Sequence, residues 1–262
     1  MTLLSVERLE KSFGGVHAAR GVTFDVERGR LVALIGPNGA GKSTTFNMIG
    51  GQLAPDTGRV LLDGTDIAGL APRKIWRLGV GRTFQVAQTF LSMTVVENVQ
   101  MALISLAGRT RGFWTDAASI DRDEAVALLA RVGMAADADR PCRELAYGDV
   151  KRVELAIALA GSPKLLLMDE PTAGMAPKER GELMQLTADI ARASGIGVLF
   201  TEHDMDAVFG HADHILVLVR GEIIARGTAD EVRSNARVRE VYLGGTADLT
   251  AHGTARAAGA RP

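Results

Sequence analysis

The stretch Gly36-Pro37-Asn38-Gly39-Ala40-Gly41-Lys42-Ser43 constrains the fold of this chain more than any other. A GxxxxGK[ST] pattern requires a strand that ends just before it and a helix that opens just after it. The apolar run Leu31–Ile35 supplies the strand, and residues 44–49 read as the helix. Glycines let backbone N–H groups turn inward around phosphate oxygens, and the helix N-terminus adds positive potential. Lys42 is then placed to reach terminal phosphates, with Ser43 offering a hydroxyl to Mg²⁺ and Thr44 leading into the helix. A chance glycine-rich turn is the alternative, and the correct flanks argue against it.

The remaining pattern predicts an α/β fold. Residues 22–26 read as a strand, and the turn signals Pro55-Asp56-Thr57-Gly58 and Asp63-Gly64 bracket a short strand at 59–62, which suggests a small antiparallel layer near the N-terminus. Strand-like runs recur at 165–168, 197–201 and 214–219, with a helix predicted over 178–193. Such alternation points to a mainly parallel sheet. Between about 94 and 160 the period changes: Val95, Val99 and Leu103, then Ala125, Leu128, Leu129 and Val132, recur at helical spacing and predict a helical insertion. One domain is expected over 1–245, and the small polar residues 246–262 are expected to be a disordered tail.

Composition narrows the function classes. A formal net charge of −1 gives no basis for bulk nucleic-acid binding. Cys142 is the only cysteine, so no intrachain disulfide or cysteine-pair metal site can form. The N-terminal residues lack a basic segment followed by a long apolar one, so no secretory signal is expected. Apolar runs such as 165–168 fall far short of the roughly 18 residues that span a bilayer. Any membrane is expected to be met through a partner.

Leu165-Leu166-Leu167-Met168-Asp169-Glu170 has the form of a Walker B strand, a buried strand that delivers carboxylates at its C-terminal end. Asp169 is the candidate Mg²⁺ ligand, through a water, and Glu170 the candidate general base that polarises an attacking water. An acidic pair merely closing a strand before Pro171 is the alternative, and the phosphate loop upstream weighs against it. Together the two motifs imply binding and hydrolysis of ATP with Mg²⁺.

Leu145-Ala146-Tyr147-Gly148-Asp149-Val150-Lys151-Arg152, ahead of the Walker B strand, resembles the signature element of ABC ATPases. Gln85, after Arg82-Thr83-Phe84, resembles the Q-loop glutamine; His203, in Thr201-Glu202-His203-Asp204, resembles the switch histidine; Phe13 lies where the family places an aromatic for adenine stacking. Each is weak alone, since a lone His is more often structural, a Gln a solvated turn residue and an early Phe a core residue. Their joint order carries the resemblance, over about residues 3–245. It implies a P-loop NTPase core of the ABC ATPase type, with Gln85 also near the Mg²⁺ site and with Tyr147 and Gly148 touching nucleotide.

The phrase Gly81-Arg82-Thr83-Phe84-Gln85, the Leu-Ala-Tyr-Gly signature and the segment from Ala225 to Gly244 are most similar to ATPases of branched-chain amino-acid importers. That implies a second ATPase subunit, in a homo- or heterodimer, with two membrane permease subunits and a periplasmic solute-binding protein. It also implies a peripheral place on the cytoplasmic face of the membrane. Leucine, isoleucine and valine are the default solutes, with urea, short amides and aromatic acids as alternatives. An exporter or lipid-extracting ATPase and a soluble ABC protein are the competing readings. Two residues depart from the family pattern: Ala146 replaces the signature serine, and Ala176 replaces the aspartate that usually follows Walker B.

Overall fold

The computed structural model describes residues 1–83, 89–106 and 121–243. Two long strands, β1 (Thr2–Phe13) and β2 (Val16–Glu27), form an antiparallel hairpin around Gly14 and Gly15. β3 (Leu31–Ile35) runs into the glycine-rich loop, and α1 (Lys42–Ile49) leaves it. The helix thus opens two residues earlier than the sequence pattern suggests, with Lys42 and Ser43 already in its first turn. β4 (Thr57–Leu62) and β5 (Thr65–Asp66) complete a four-stranded antiparallel sheet in the order β2-β1-β4-β5.

Next come α2 (Pro72–Arg77) and β6 (Val80–Thr83). The helices α3 (Val95–Leu106), α4 (Arg122–Arg131) and α5 (Tyr147–Leu159) occupy the stretch whose period predicts an insertion. β7 (Leu165–Asp169), α6 (Pro177–Ser194), β8 (Gly197–Thr201), α7 (Met205–His211), β9 (His214–Val219), β10 (Glu222–Gly227), α8 (Ala229–Ser234) and α9 (Ala236–Leu243) complete the described chain. The second sheet has the order β10-β9-β3-β8-β7-β6, parallel throughout except for β10 at its edge. The tail expected at 246–262 lies outside the described residues.

Every residue of β3 and β8 is buried, as expected of parallel strands covered on both faces. Period-2 alternation divides their side chains between two cores. Leu31, Ala33 and Ile35, with Leu166, Met168, Val198 and Phe200, pack toward α3 to α7. Val32 and Leu34, with Leu165, Leu167 and Leu199, pack toward the antiparallel sheet and α1. The result is three layers around a central sheet. One consequence fixes the site: the carboxyl ends of β3, β8, β7 and β6, neighbours in the sheet, emerge along a single edge. Ligands of open α/β sheets bind at such an edge.

Candidate functional site

The loop after β3 is shaped from outside as well as inside. A Cβ at Gly36 would lie 2.1 Å from the Leu218 carbonyl oxygen of β9, and one at Gly41 would lie 2.1 Å from that of Ala18. Gly41 also has φ 106°, a left-handed value disfavoured for side-chain-bearing residues. Close packing against neighbouring strands therefore requires these two glycines. The rim is fastened by Gly221 N–H to the Ala40 carbonyl (2.8 Å) and Arg20 N–H to the Gly221 carbonyl (2.8 Å). Asn38 and Gly39 are exposed, Pro37 sits beside them, and Ala40 is buried beneath. The Lys42 ammonium donates to the carbonyls of Gly36 (2.7 Å) and Pro37 (3.2 Å). Burial lowers its pKa from the usual lysine value, while the carboxylates of Glu170 and Asp169 pull it back up. Ser43 is exposed in the first turn of α1, with Thr44 half-buried beside it.

Asp169 ends β7, and its Oδ1 accepts a hydrogen bond from the Thr201 hydroxyl (2.7 Å). Its Oδ2 lies 3.8 Å from Arg82 Nη2. Arg82 also donates to Asn47 (2.9 Å) and Gln52 (2.5 Å) near the end of α1, which joins β6 to the phosphate-loop helix. Glu170 follows at φ 49°, a strained value for a carboxylate residue, and its N–H donates to the Thr201 carbonyl (3.1 Å). Glu170 Oε1 meets His203 Nε2 at 3.0 Å. The half-exposed imidazole and the Walker B carboxylate thus form a pair at the open edge of the sheet.

Phe13 ends β1 at the hairpin turn and is 48% exposed, so it is not a core residue. Lys11 Nζ lies 5.7 Å from its ring centroid, held there by an ion pair with Asp56 (2.7 Å). Tyr147 and Gly148 open α5; the Tyr147 ring is exposed and packs beside Gly174, while Gly148 is buried next to the Glu179 carboxylate. Among the described residues, no hydrogen bond or ion pair joins 145–149 to the loop 36–43. Gln85 lies outside the described residues.

Comparison with known proteins agrees with this geometry. The ABC transporter family model matches residues 19–173, and a model described as branched-chain amino acid ATP-binding cassette transporter matches 222–248. The chain belongs to the ABC transporter family. The high-affinity branched-chain amino acid transport ATP-binding protein LivG of Escherichia coli is 40% identical over 250 residues, which is 92% of this chain and 98% of LivG. The solved ADP conformation of MJ1267, an ATP-binding cassette of an ABC transporter, superposes with a TM-score of 0.84 at 34% identity, covering 93% of this chain and 99% of that one. A dimeric structure of the bacterial ABC transporter cassette MJ0796 gives 0.72 at 26% identity, covering 87% and 99%. Members of this family are ATP-binding cassettes, and none of the described helices here is long and apolar enough to cross a membrane.

Within the ABC frame, the two departures have local structural meaning. Ala146 is the N-cap of α5 and Ala176 the N-cap of α6, both with extended backbone and no side-chain cap. At α6 only half of a capping box forms: Glu179 accepts the Ala176 N–H at 3.3 Å, but alanine has no oxygen to return the bond. The donor set fits Mg²⁺. A serine hydroxyl on the first turn of α1 and one aspartate at the end of β7 suit a small hard cation that keeps waters and substrate phosphates as its other ligands. Among the described residues no cluster of three or more His, Cys, Asp or Glu forms a protein cage for a metal.

Motif reading missed Thr201, Glu202, Thr172 and the bridging role of Arg82. Arg82 stood in a phrase read only as a lineage mark. Thr201 and Glu202 stood beside His203 with no signal beyond adjacency, because their partners lie about thirty residues away, at the end of β7 and in the turn after it.

Proposed function

We propose that this chain is the ATP-hydrolysing subunit of an importer for branched-chain or related hydrophobic amino acids. The observation that carries the enzymatic reading is the 3.0 Å contact between Glu170 and His203, on strand ends beside the Lys42 loop. The loop N–H groups and Lys42 bind the β- and γ-phosphates, Ser43 and Asp169 hold Mg²⁺, and Phe13 stacks on adenine. Mg²⁺ neutralises charge on the phosphates when bound. Glu170 takes a proton from a water whose oxygen attacks the γ-phosphorus, ADP leaves, and His203 contacts the transferring phosphoryl group.

The site is half of a composite one. In the proposed dimer, Tyr147 and the N–H groups at the start of α5 in a second subunit, homologous or identical, close over the γ-phosphate. Closure in ATP and opening after hydrolysis form a population shift driven by differential affinity. A groove of about 540 Å³ beside β6 is lined by Gln52, Arg73, Trp76, Arg82, Ala102 and Ser105. A cytoplasmic helix of a permease subunit docks in it, and Gln85 follows β6 in the sequence. The protein then works at the cytoplasmic face, peripheral to two permease subunits, with a periplasmic solute-binding protein delivering the cargo. The names of the similar proteins support the amino-acid class.

The test is reconstitution with candidate permease and solute-binding proteins from the same organism. ATP hydrolysis stimulated by leucine-loaded binding protein, with uptake of labelled leucine, is the expected result. Hydrolysis without stimulation by any hydrophobic amino acid would remove the solute class, and absence of hydrolysis would remove the enzymatic reading.

A further inference from the structure

Three consecutive residues at the end of β8 each bond a different residue at the end of β7 or in the turn after it. The Thr201 hydroxyl donates to Asp169, and His203 Nε2 meets Glu170. Between them, Glu202 Oε1 accepts from both the N–H (2.9 Å) and the hydroxyl (2.7 Å) of Thr172. The other oxygen, Oε2, accepts the His203 backbone N–H at 3.2 Å. Glu202 is 4% exposed and Thr172 is 1% exposed, so this contact lies beneath the reacting pair.

A buried carboxylate is a costly way to join two loops. Desolvation penalises it unless its oxygens are satisfied, and an apolar pair of similar volume would hold two strand ends more cheaply. Here all three named donors come from the two segments that carry the reacting pair: Thr172 is two residues beyond Glu170, and His203 is adjacent. Glu170 is held at a strained φ of 49°, which persists only where its surroundings over-determine it. The next residue repeats the tie, since Asp204 forms an ion pair with Arg180 of α6. His203 is therefore bracketed by two carboxylates, each bonded to the segment that follows Asp169.

We propose that Glu202 is a positioning residue for ATP hydrolysis, its buried carboxylate locking the Thr172 turn to the His203 backbone so that Glu170 and the imidazole meet at the γ-phosphate. The proposal rests on the reading of Glu170 and His203 as the hydrolytic pair. Both Glu202 oxygens are taken up by Thr172 and the His203 backbone, so its effect falls on turnover and not on ATP affinity.

The test uses the full chain in its purified transporter complex. Glu202→Gln keeps shape but loses the charge and one acceptor. Its kcat is expected to fall about tenfold or more, with ATP affinity within about twofold of wild type. Thr172→Val should show the same split, and Thr172→Ser should recover most of the rate. In a His203→Ala background under single turnover, Glu202→Gln should add no more than about a twofold loss, because the Glu170–imidazole pairing that it maintains is already gone. The Thr172 series decides the matter if Glu202→Gln does not fold. Wild-type turnover in Glu202→Gln and Thr172→Val, a matching fall in ATP affinity, or a full tenfold loss in the His203→Ala background would each overturn the role of Glu202. A wild-type complex that does not hydrolyse ATP overturns instead the function on which the proposal rests.

Discussion

The Lys42 ammonium hydrogen-bonds the Gly36 carbonyl at 2.7 Å, across the loop that carries both residues. Its donors face neutral carbonyl oxygens of its own chain, within reach of the fields of Asp169 and Glu170. A polyphosphate competes with those carbonyls as a far stronger acceptor, because it meets the ammonium with full negative charge where a carbonyl offers only a dipole.

Lys42→Ala removes the cation proposed to face the terminal phosphates. Turnover in the purified complex is expected to fall by about 10²–10³-fold, the scale seen when one donor to a developing anion is lost. Near-normal phosphate release would sink the assignment.

Glu170→Gln keeps the hydrogen bond to His203 within reach but removes the proposed base. ATP binding should survive while hydrolysis falls by about 10²–10⁴-fold, and the ATP-bound dimer should accumulate on size exclusion. Rapid phosphate release by this variant would place the base elsewhere.

Phe13→Ala tests the half-exposed ring at the hairpin tip. Its exposure means that little core packing is lost, so the effect should appear in nucleotide affinity, by about 1–3 kcal/mol of stacking. An unchanged dissociation constant for ATP, measured by titration calorimetry, would detach Phe13 from the adenine site.

Ala176→Asp supplies the missing half of the α6 cap, at a backbone already extended (φ −66°, ψ 151°). A new N-cap acceptor is worth about 0.5–2 kcal/mol, and Glu179 close by draws the gain toward the lower end. A melting temperature raised by about 2–4 °C per kcal/mol is expected for a chain of this size. An unchanged or lowered melting temperature would show that the cap does not form.

Local pattern located much of the molecule. β3, β7, β8 and β9 appear where apolar runs predicted them, and α6 differs from its predicted span by one residue at each end. The misses have physical causes. The full length of β1 is set by pairing with the sequence-distant β4 as well as with β2, and the edge strand β10 is set by its hairpin with β9; neither shows as an apolar run. The start of α1 at Lys42 follows from Gly41 adopting a left-handed turn packed on Ala18, a contact no window of sequence contains.

By itself the sequence located the candidate groups: the glycine-rich loop with its lysine, the carboxylates that end a buried strand, and the histidine that follows the next one. It could do so because motif spacing is written along the chain. Only the tertiary structure decided that β3, β8, β7 and β6 end side by side, that Phe13 stands out of the core, and that Glu202 reaches Thr172 beneath the Glu170–His203 pair. Those relations depend on strand order in a parallel sheet, whose crossovers bring together residues that the sequence keeps about thirty or more positions apart.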